Sequence, residues 1–235
     1  VIELKDLQNV HNSTYEHCLN VAQLAVPCGI GMGLTDKQLE SLAAGAMLHD
    51  IGKMAIPMEI LDKPGKLTPK EYNIIKQHPR LGYNMIYDNP IIQSEARAGI
   101  LLHHENEDGT GYPLGLSGNK IPIVAKIIHV ADVYEALCQK RCYKEKYSFA
   151  DSLEYLMGGC GTMFNFSVVS AFSKYITIYP VGMDVTLSNG QEARVIKNHI
   201  GNVLRPIVIT KDTKEILDLT NDTTTYNVTI LQGLQ

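Results

Sequence analysis

The chain has 235 residues, of which 45% are hydrophobic and 20% are charged, and its formal net charge is −4. This composition is typical of a globular protein with a buried core, and the slight acidity excludes a general electrostatic attraction to DNA, RNA or anionic membranes. No apolar run reaches the roughly 18 residues that a membrane-spanning helix needs. The five cysteines form no CxxC pair and no secretory signal is evident, so we expect free thiols and a cytoplasmic location.

Residues up to about 177 are predicted to be mainly helical. Thr35-Asp-Lys-Gln38 and Thr68-Pro-Lys-Glu71 have the spacing of a capping box, in which each side chain accepts a hydrogen bond from the other residue's backbone amide. Both therefore predict helix starts, and apolar residues at helical spacing predict further helices. The predicted helices cover about residues 14–25, 35–50, 91–103, 123–139, 148–156 and 166–176, with one more beginning at 68.

The chain beyond Pro180 is predicted to form a small β-rich region. Asn189-Gly190 separates two short segments of alternating polarity, which is typical of a β-hairpin. The segments 202–210 and 226–231 predict two further strands. We therefore expect a mainly α fold, with one helical domain over residues 1–177 and a small C-terminal β-rich subdomain of unknown role over residues 178–235.

Three of the predicted apolar helices carry polar groups that would be costly to bury alone. His49-Asp50 follows one apolar segment, His103-His104 follows another, and Asp132 interrupts a third. A single case is usually a hydrogen-bonded core residue, whereas three together favour a metal site. Imidazole and carboxylate ligands without thiolate suit iron, manganese, nickel or zinc. A carboxylate can also bridge two ions that activate one water.

Four motifs occur in the order typical of one enzyme family. They are HDIGK at 49–53, HP at 78–79, HHENEDGTGYP at 103–113 and ADVYEALCQKRCYK at 131–144. Over about residues 10–176 the chain resembles the HD-GYP family, a branch of the HD-domain metal-dependent phosphohydrolases. An HD pair alone is a weak signal, but HD, a distant HH and DGxGYP together are specific. The resemblance implies an all-helical HD-type bundle, in agreement with the predicted helices.

The resemblance also implies seven metal ligands, all imidazoles or carboxylates: His17, His49, Asp50, His78, His103, His104 and Asp132. Asp50 would bridge two divalent ions, for which iron is the first expectation and manganese, nickel or zinc are alternatives. One ion would take His17, His49, Asp50 and Asp132, and the other Asp50, His78, His103 and His104. Some family members bind a third ion through an acid one turn before the first histidine. Asn12 and Ser13 stand there instead, which favours two ions.

Basic residues near the motifs are expected to hold the anionic substrate. Lys53 matches a family lysine that contacts a phosphate, and on a helix continuing from His49 it would share the face of that histidine. Arg141 and Lys144 match residues that hold the other phosphate, for which a forked guanidinium is well suited. Gly111-Tyr112-Pro113 would shape a loop over the site, and Gly111 and Tyr112 would contact the substrate.

The activity implied by the resemblance is hydrolysis of cyclic di-GMP to linear pGpG, and in some members on to GMP. A hydroxide bridging the two ions would attack phosphorus, with Asp50 and Lys53 as the catalytic side chains and the general acid left open. A non-hydrolytic cyclic di-GMP receptor is the alternative, and it is disfavoured because none of the seven ligands is lost. Cyclic GMP-AMP stays open as a substrate. An upstream sensor domain or a homodimer is also expected from the family.

Overall fold

The computed structural model describes residue 8, residues 11–138 and residues 147–234, with side chains up to residue 231. The described chain divides into two compact units. One contains the residues up to Tyr147 together with Asp151–Phe172, and the other contains Ser148–Ala150 with the residues from Ser173 onward. The predicted mainly α fold with a small C-terminal sheet is confirmed. None of the described helices is both long enough and apolar enough to cross a bilayer.

Helix starts follow the predicted caps. Thr35 forms a complete capping box with Gln38, and Thr68 forms one with Glu71. In the part of the chain that the structure describes, three 3₁₀ helices cover Ile51–Ala55, Gly118–Lys120 and Thr223–Thr225. The α-helices of the described chain are α1 Asn12–Gly31, α2 Asp36–Leu48, α3 Met58–Leu61, α4 Pro69–Ile75, α5 His78–Ile86, α6 Ser94–Leu102, α7 Ile123–Cys138, α8 Phe149–Gly158 and α9 Phe166–Tyr175.

Three predicted helix boundaries are wrong, and one of them is the end of α1, which was expected at residue 25 but lies at Gly31. The helix expected from residue 91 begins at Ser94, because the Asn89 side chain accepts a hydrogen bond from the Ile91 amide at 3.0 Å and holds a turn before it. The helix expected to continue from His49 to Lys53 ends at Leu48, and Ile51–Ala55 forms a separate 3₁₀ turn.

The 3₁₀ turn packs against the start of α5 at a distance that only glycine permits. A Cβ atom on Gly52 would lie 2.0 Å from the His78 carbonyl oxygen and 2.5 Å from the Gly82 amide nitrogen. The two backbones are therefore in direct contact. This contact holds the residues after α2 beside the first residue of α5.

Helix α7 forms the centre of the helical unit and packs against α1, α2 and α6. Its residues from Val124 to Asp132 are almost all buried. Glycines on the neighbouring helices allow the close approach: a Cβ on Gly99 of α6 would lie 2.9 Å from Ile128 Cδ1, and one on Gly45 of α2 would lie 3.1 Å from the same atom. The C-terminal ends of α2 and α6 therefore lie close to the middle of α7.

The second unit contains a five-stranded antiparallel sheet in the order β4-β3-β2-β1-β5. Its strands are β1 Asp184–Leu187, β2 Glu192–Lys197, β3 Ile207–Thr210, β4 Ile216–Asp218 and β5 Ile230–Leu234. The predicted hairpin is confirmed, since Gly190, at φ 86°, turns the chain between β1 and β2. The strand predicted over 226–231 begins only at Ile230, because the 3₁₀ helix Thr223–Thr225 and a turn precede it.

Candidate metal centre

Five elements of the helical unit bring together the seven residues that were expected to bind metal. They are His17 on α1, His49 and Asp50 directly after α2, His78 at the start of α5, His103 and His104 directly after α6, and Asp132 on α7. Five of these side chains are buried, and His17 and His104 are partly buried. The cluster therefore depends on long-range packing of the helices rather than on a local motif.

The cluster contains three overlapping groups whose ligand atoms all lie within 4.8 Å of one another. The groups are His78 with His103 and His104, His17 with His49 and Asp50, and His49 with His103 and Asp132. The first group matches three of the four ligands that the resemblance implied for one ion, and the second matches three of the four implied for the other. Each group has enough nitrogen and oxygen atoms to hold a divalent ion.

Asp50 belongs to the second group and also contacts the first. Its Oδ1 atom is 3.2 Å from His78 Nε2, and its Oδ2 atom is 3.5 Å from His49 Nε2 and 3.7 Å from His17 Nε2. Burial alone would raise the pKa of Asp50, but the positive charges of Lys53 and His17 outweigh it and hold the pKa well below its usual value. Asp50 is therefore an ionised carboxylate with one oxygen toward each group, which is the arrangement that a bridging ligand requires.

Three buried histidines share one orientation. The Nδ1 atoms of His49, His78 and His103 each donate at 2.8 Å to the carbonyl oxygen three residues earlier. Burial lowers the pKa of all three imidazoles, so they are neutral and each Nε2 presents a lone pair to the cluster. The backbone thus fixes the tautomer that binds metal.

The arrangement of these lone pairs fits a cation. His78 Nε2 and His103 Nε2 are 3.2 Å apart, and since both rings donate through Nδ1, two lone pairs face each other. His49 Nε2 is fully buried and has no hydrogen-bond partner among the described residues. Such an arrangement is unfavourable for imidazoles alone. It becomes favourable when a positive ion takes the lone pairs, because nitrogen ligands at about 2.1 Å from one ion lie roughly 3 to 3.5 Å apart.

Glu135, which was not predicted from the sequence, orients His17. His17 Nδ1 donates to Glu135 Oε2, and His17 Nε2 lies 3.0 Å from Asp132 Oδ1. Burial lowers the pKa of His17, but the hydrogen bonds to Asp132 and Glu135 raise it more, to about 10. Glu135 is buried and also accepts a bond from Asn20 Nδ2 at 3.0 Å. The two carboxylates therefore favour positive charge at His17, and a metal ion at Nε2 would supply it.

Replacing Glu135 with glutamine is expected to weaken metal binding by about 10- to 100-fold, as is typical when a group that orients a metal-binding histidine is changed. Chelator competition measures this affinity. Glu154→Gln, at an exposed position of α8, is the matched control and should leave the affinity unchanged, whereas Glu135→Asp should restore part of it. Equal affinities for Glu135→Gln and the parent chain would show that Glu135 has no orienting role.

Lys53 contacts the cluster, but it does not lie on the continuing α-helix that was predicted. It lies on the 3₁₀ helix Ile51–Ala55, and its Nζ atom contacts Asp50 Oδ2. Burial lowers the pKa of Lys53, but Asp50 raises it more, so the ammonium stays charged. The side chain is about one-quarter exposed, so it can meet a ligand at the surface of the cluster. Arg141 and Lys144 lie outside the described residues.

The loop after His104 is fixed over the paired histidines. The Tyr112 ring stacks on the His104 ring at 4.7 Å with an interplanar angle of 26°, and the Tyr112 amide donates to the His104 carbonyl oxygen at 3.1 Å. A Cβ on Gly111 would lie 2.4 Å from that same oxygen, so only glycine allows this closure. Glu105, another residue missed from the sequence, is buried, and its carboxylate accepts bonds from the amides of Leu114 and Leu116.

A family model described as an HD domain matches residues 4–165 of the chain. The chain belongs to the HD-domain family. The predicted HD-GYP membership within it is confirmed by the relatives that this HD-domain chain matches.

Several curated relatives of the HD-domain chain are named as phosphodiesterases of cyclic dinucleotides. It is 36% identical to the cyclic di-GMP phosphodiesterase PA4108 of Pseudomonas aeruginosa over 208 residues, which are 88% of this chain and 50% of that protein. It is 44% identical to the cyclic di-GMP phosphodiesterase response regulator RpfG of Xanthomonas campestris over 142 residues, which are 60% of this chain and 37% of that protein. The chain thus spans half or less of the length of these two relatives.

Solved structures confirm the predicted HD-type helical bundle. Bd1817, an HDG"Y"P protein from Bdellovibrio bacteriovorus, has a TM-score of 0.57 at 24% identity, over 72% of this chain and 55% of that chain. The PgpH HD domain of L. monocytogenes has a TM-score of 0.53 at 20% identity, over 72% of this chain and 90% of that chain. At these identities the likeness concerns the fold alone.

His129 of the HD domain is a packing residue in this geometry. Its Nδ1 atom lies 2.9 Å from the Glu105 carbonyl oxygen, and its ring packs edge-on against Phe164 at 5.0 Å. It belongs to none of the three ligand groups. Its neighbour Asp132, one turn further along α7, points into the cluster instead.

Proposed function

We propose that this chain is a metal-dependent phosphodiesterase that hydrolyses cyclic di-GMP to linear pGpG. The observation that carries the proposal is the pair of histidine groups around Asp50, with unprotonated nitrogens facing one another. The names of the relatives support cyclic di-GMP as the substrate. The retention of all seven ligands disfavours the alternative of a non-hydrolytic receptor.

Two divalent ions are part of the proposal, with iron first and manganese, nickel or zinc as alternatives. His17, His49, Asp50 and Asp132 would hold one ion, and Asp50, His78, His103 and His104 the other. Such ions supply two kinds of chemistry, since they lower the pKa of water and offset negative charge on phosphoryl oxygens. Asn12 and Ser13 offer no carboxylate for a third ion, which supports a count of two.

The side chains around the centre would bind and orient the phosphodiester. Lys53 is a partly exposed cation held against Asp50, and we assign it to a non-bridging oxygen of the scissile phosphate, where negative charge grows in the transition state. Because the pKa of Lys53 is raised, its ammonium group is charged and can stabilise that negative charge. The loop at Gly111 and Tyr112 packs against His104, and we assign Gly111 and Tyr112 to contacts with the substrate on that side.

Turnover by the metal-loaded chain tests this function. Protein purified without oxygen and loaded with iron or manganese is expected to convert cyclic di-GMP to pGpG, identified by chromatography and mass spectrometry. Prior removal of the metal with a chelator should abolish turnover, and metal addition should restore it. A chain that holds two ions and binds cyclic di-GMP without cleaving it would contradict the proposal and favour the receptor.

Further parts of the proposal concern substrate range and setting. Cyclic GMP-AMP is a second candidate substrate, since a relative from Vibrio cholerae that is 38% identical over 133 residues is named a 3'3'-cGAMP-specific phosphodiesterase. Further cleavage to GMP is a second candidate product. We assign the activity to residues 1–177 and propose a cytoplasmic location. Control by a further sensor domain is supported by the relative that is named a response regulator, and control by a second copy is proposed as the alternative.

A further inference from the structure

A polar groove adjoins the metal centre on the side of α4 and α5. It encloses about 330 Å³ and is lined by Asn73, Lys76, Gln77, Arg80, Tyr112 and Pro113. Lys76 and Arg80 flank the ligand His78 in the sequence, two residues before and two after it. Tyr112 stacks on the ligand His104. The Tyr112 ring therefore contacts both the groove and His104, and a substrate bound at the centre could extend past this ring into the groove.

The groove carries two cations without neutralising partners. The ion pairs formed within the described residues include neither Lys76 nor Arg80. Lys76 Nζ lies 4.8 Å from the centroid of the Tyr112 ring, and Arg80 Nη2 donates to the Pro113 carbonyl oxygen at 3.2 Å. That bond uses one N–H group of the guanidinium fork and leaves others for a ligand. The groove thus offers a surplus of hydrogen-bond donors in a chain whose net charge is negative.

We infer that this groove recognises a guanine base of the substrate, with Arg80 and Lys76 donating to its O6 and N7 atoms. The inference rests on the proposed function. It would explain why the chain prefers a dinucleotide that contains guanine. Guanine presents two adjacent acceptors on this edge, and Arg and Lys are their usual partners. Adenine keeps the N7 acceptor but presents an amino donor in place of O6, so the cation at that position would face another donor. The amides of Asn73 and Gln77 can meet the remaining donors and acceptors of a base.

Binding measurements with two dinucleotides test the groove. The probes are the non-hydrolysable bisphosphorothioate analogues of cyclic di-GMP and cyclic di-AMP, titrated into the metal-loaded chain by calorimetry. Arg80→Met is expected to weaken binding of the guanine analogue by about tenfold, the effect of losing one good base contact, and to weaken binding of the adenine analogue, which lacks the O6 acceptor, much less. Lys76→Met should act in the same direction without breaking the bond between Arg80 and the loop.

Arg97→Met is the matched control. Arg97 is a partly exposed arginine that also donates to a backbone carbonyl oxygen, that of Tyr87 at 2.6 Å, and it lines a different surface. It should leave the affinity for both analogues unchanged. Thermal unfolding of each variant verifies the fold.

The possible outcomes distinguish the failure of base recognition in the groove from the failure of the proposed hydrolysis. Equal losses for both analogues in Arg80→Met and Lys76→Met would mean that the groove binds a phosphate or ribose, and would overturn base recognition. Failure of the guanine analogue to bind the parent chain would overturn it as well. If the variants lose guanine preference but the parent chain does not hydrolyse cyclic di-GMP, the groove assignment stands and the proposed hydrolysis fails.

Discussion

Replacing Asp50 with asparagine is expected to remove most of the bound metal and to lower kcat/KM for cyclic di-GMP by about a thousandfold. Both carboxylate oxygens of Asp50 face ligand groups, at 3.2 Å from His78 Nε2 and 3.5 Å from His49 Nε2. An amide keeps one oxygen and turns an NH₂ group toward the other site. The loss of several kcal/mol of charge stabilisation corresponds to about three powers of ten, at roughly 1.4 kcal/mol for each.

Metal analysis and steady-state kinetics check this result together. Asp62→Asn is the matched control, since Asp62 pairs with His11 outside the cluster and its change should leave both quantities unaltered. If Asp50→Asn retained two ions per chain and near-normal kcat/KM, Asp50 would not be the bridging ligand.

Replacing Gly52 with alanine is expected to destabilise the helical unit by about 3 kcal/mol and to reduce its metal content. The new methyl group would lie 2.0 Å from the His78 carbonyl oxygen, and since this neighbour is backbone, the 3₁₀ turn and α5 must separate. His78 would then move away from Asp50. Urea denaturation measures the change in the free energy of unfolding, and metal analysis measures the decrease in bound metal per chain.

Gly158→Ala is the matched control for Gly52→Ala. Gly158 is the last residue of α8, and nothing lies within 4 Å of a Cβ built there. Its replacement should be neutral or should stabilise the chain by up to about 1 kcal/mol, because alanine is the better helix former. Equal stabilities of the two variants would show that the contact between Gly52 and α5 is not close in solution.

The sequence predicted features that are encoded locally. The capping boxes at Thr35 and Thr68 and the Asn189-Gly190 hairpin depend on residues only one to three positions apart, so their patterns are sufficient. The ligands were expected from a family resemblance, and the structure brings them together. Their roles as ligands stay predictions until metal is measured.

The sequence failed where long-range contacts determine the local structure. Lys53 was expected on a continuing helix, but the close approach of Gly52 to α5 replaces that helix by a 3₁₀ turn. Glu135 was missed because its function depends on His17 of another helix, although its position one turn after Asp132 is a signal that could have revealed it. Strand β4 has three residues, which is too short for an alternating pattern to be recognised.

The hydrogen bonds of His49, His78 and His103 link the candidate metal centre to the ends of three helices. Their Nδ1 atoms donate to the carbonyl oxygens of Ala46, Ile75 and Ile100. These carbonyls lie in the last turns of α2, α4 and α6. Such carbonyls otherwise lack an intrahelical partner. An ion that immobilises the rings would therefore suppress fraying of these three helices, and amide hydrogen exchange in their final turns would slow upon metal loading. The helix termini would thus report the occupancy of the centre without any substrate.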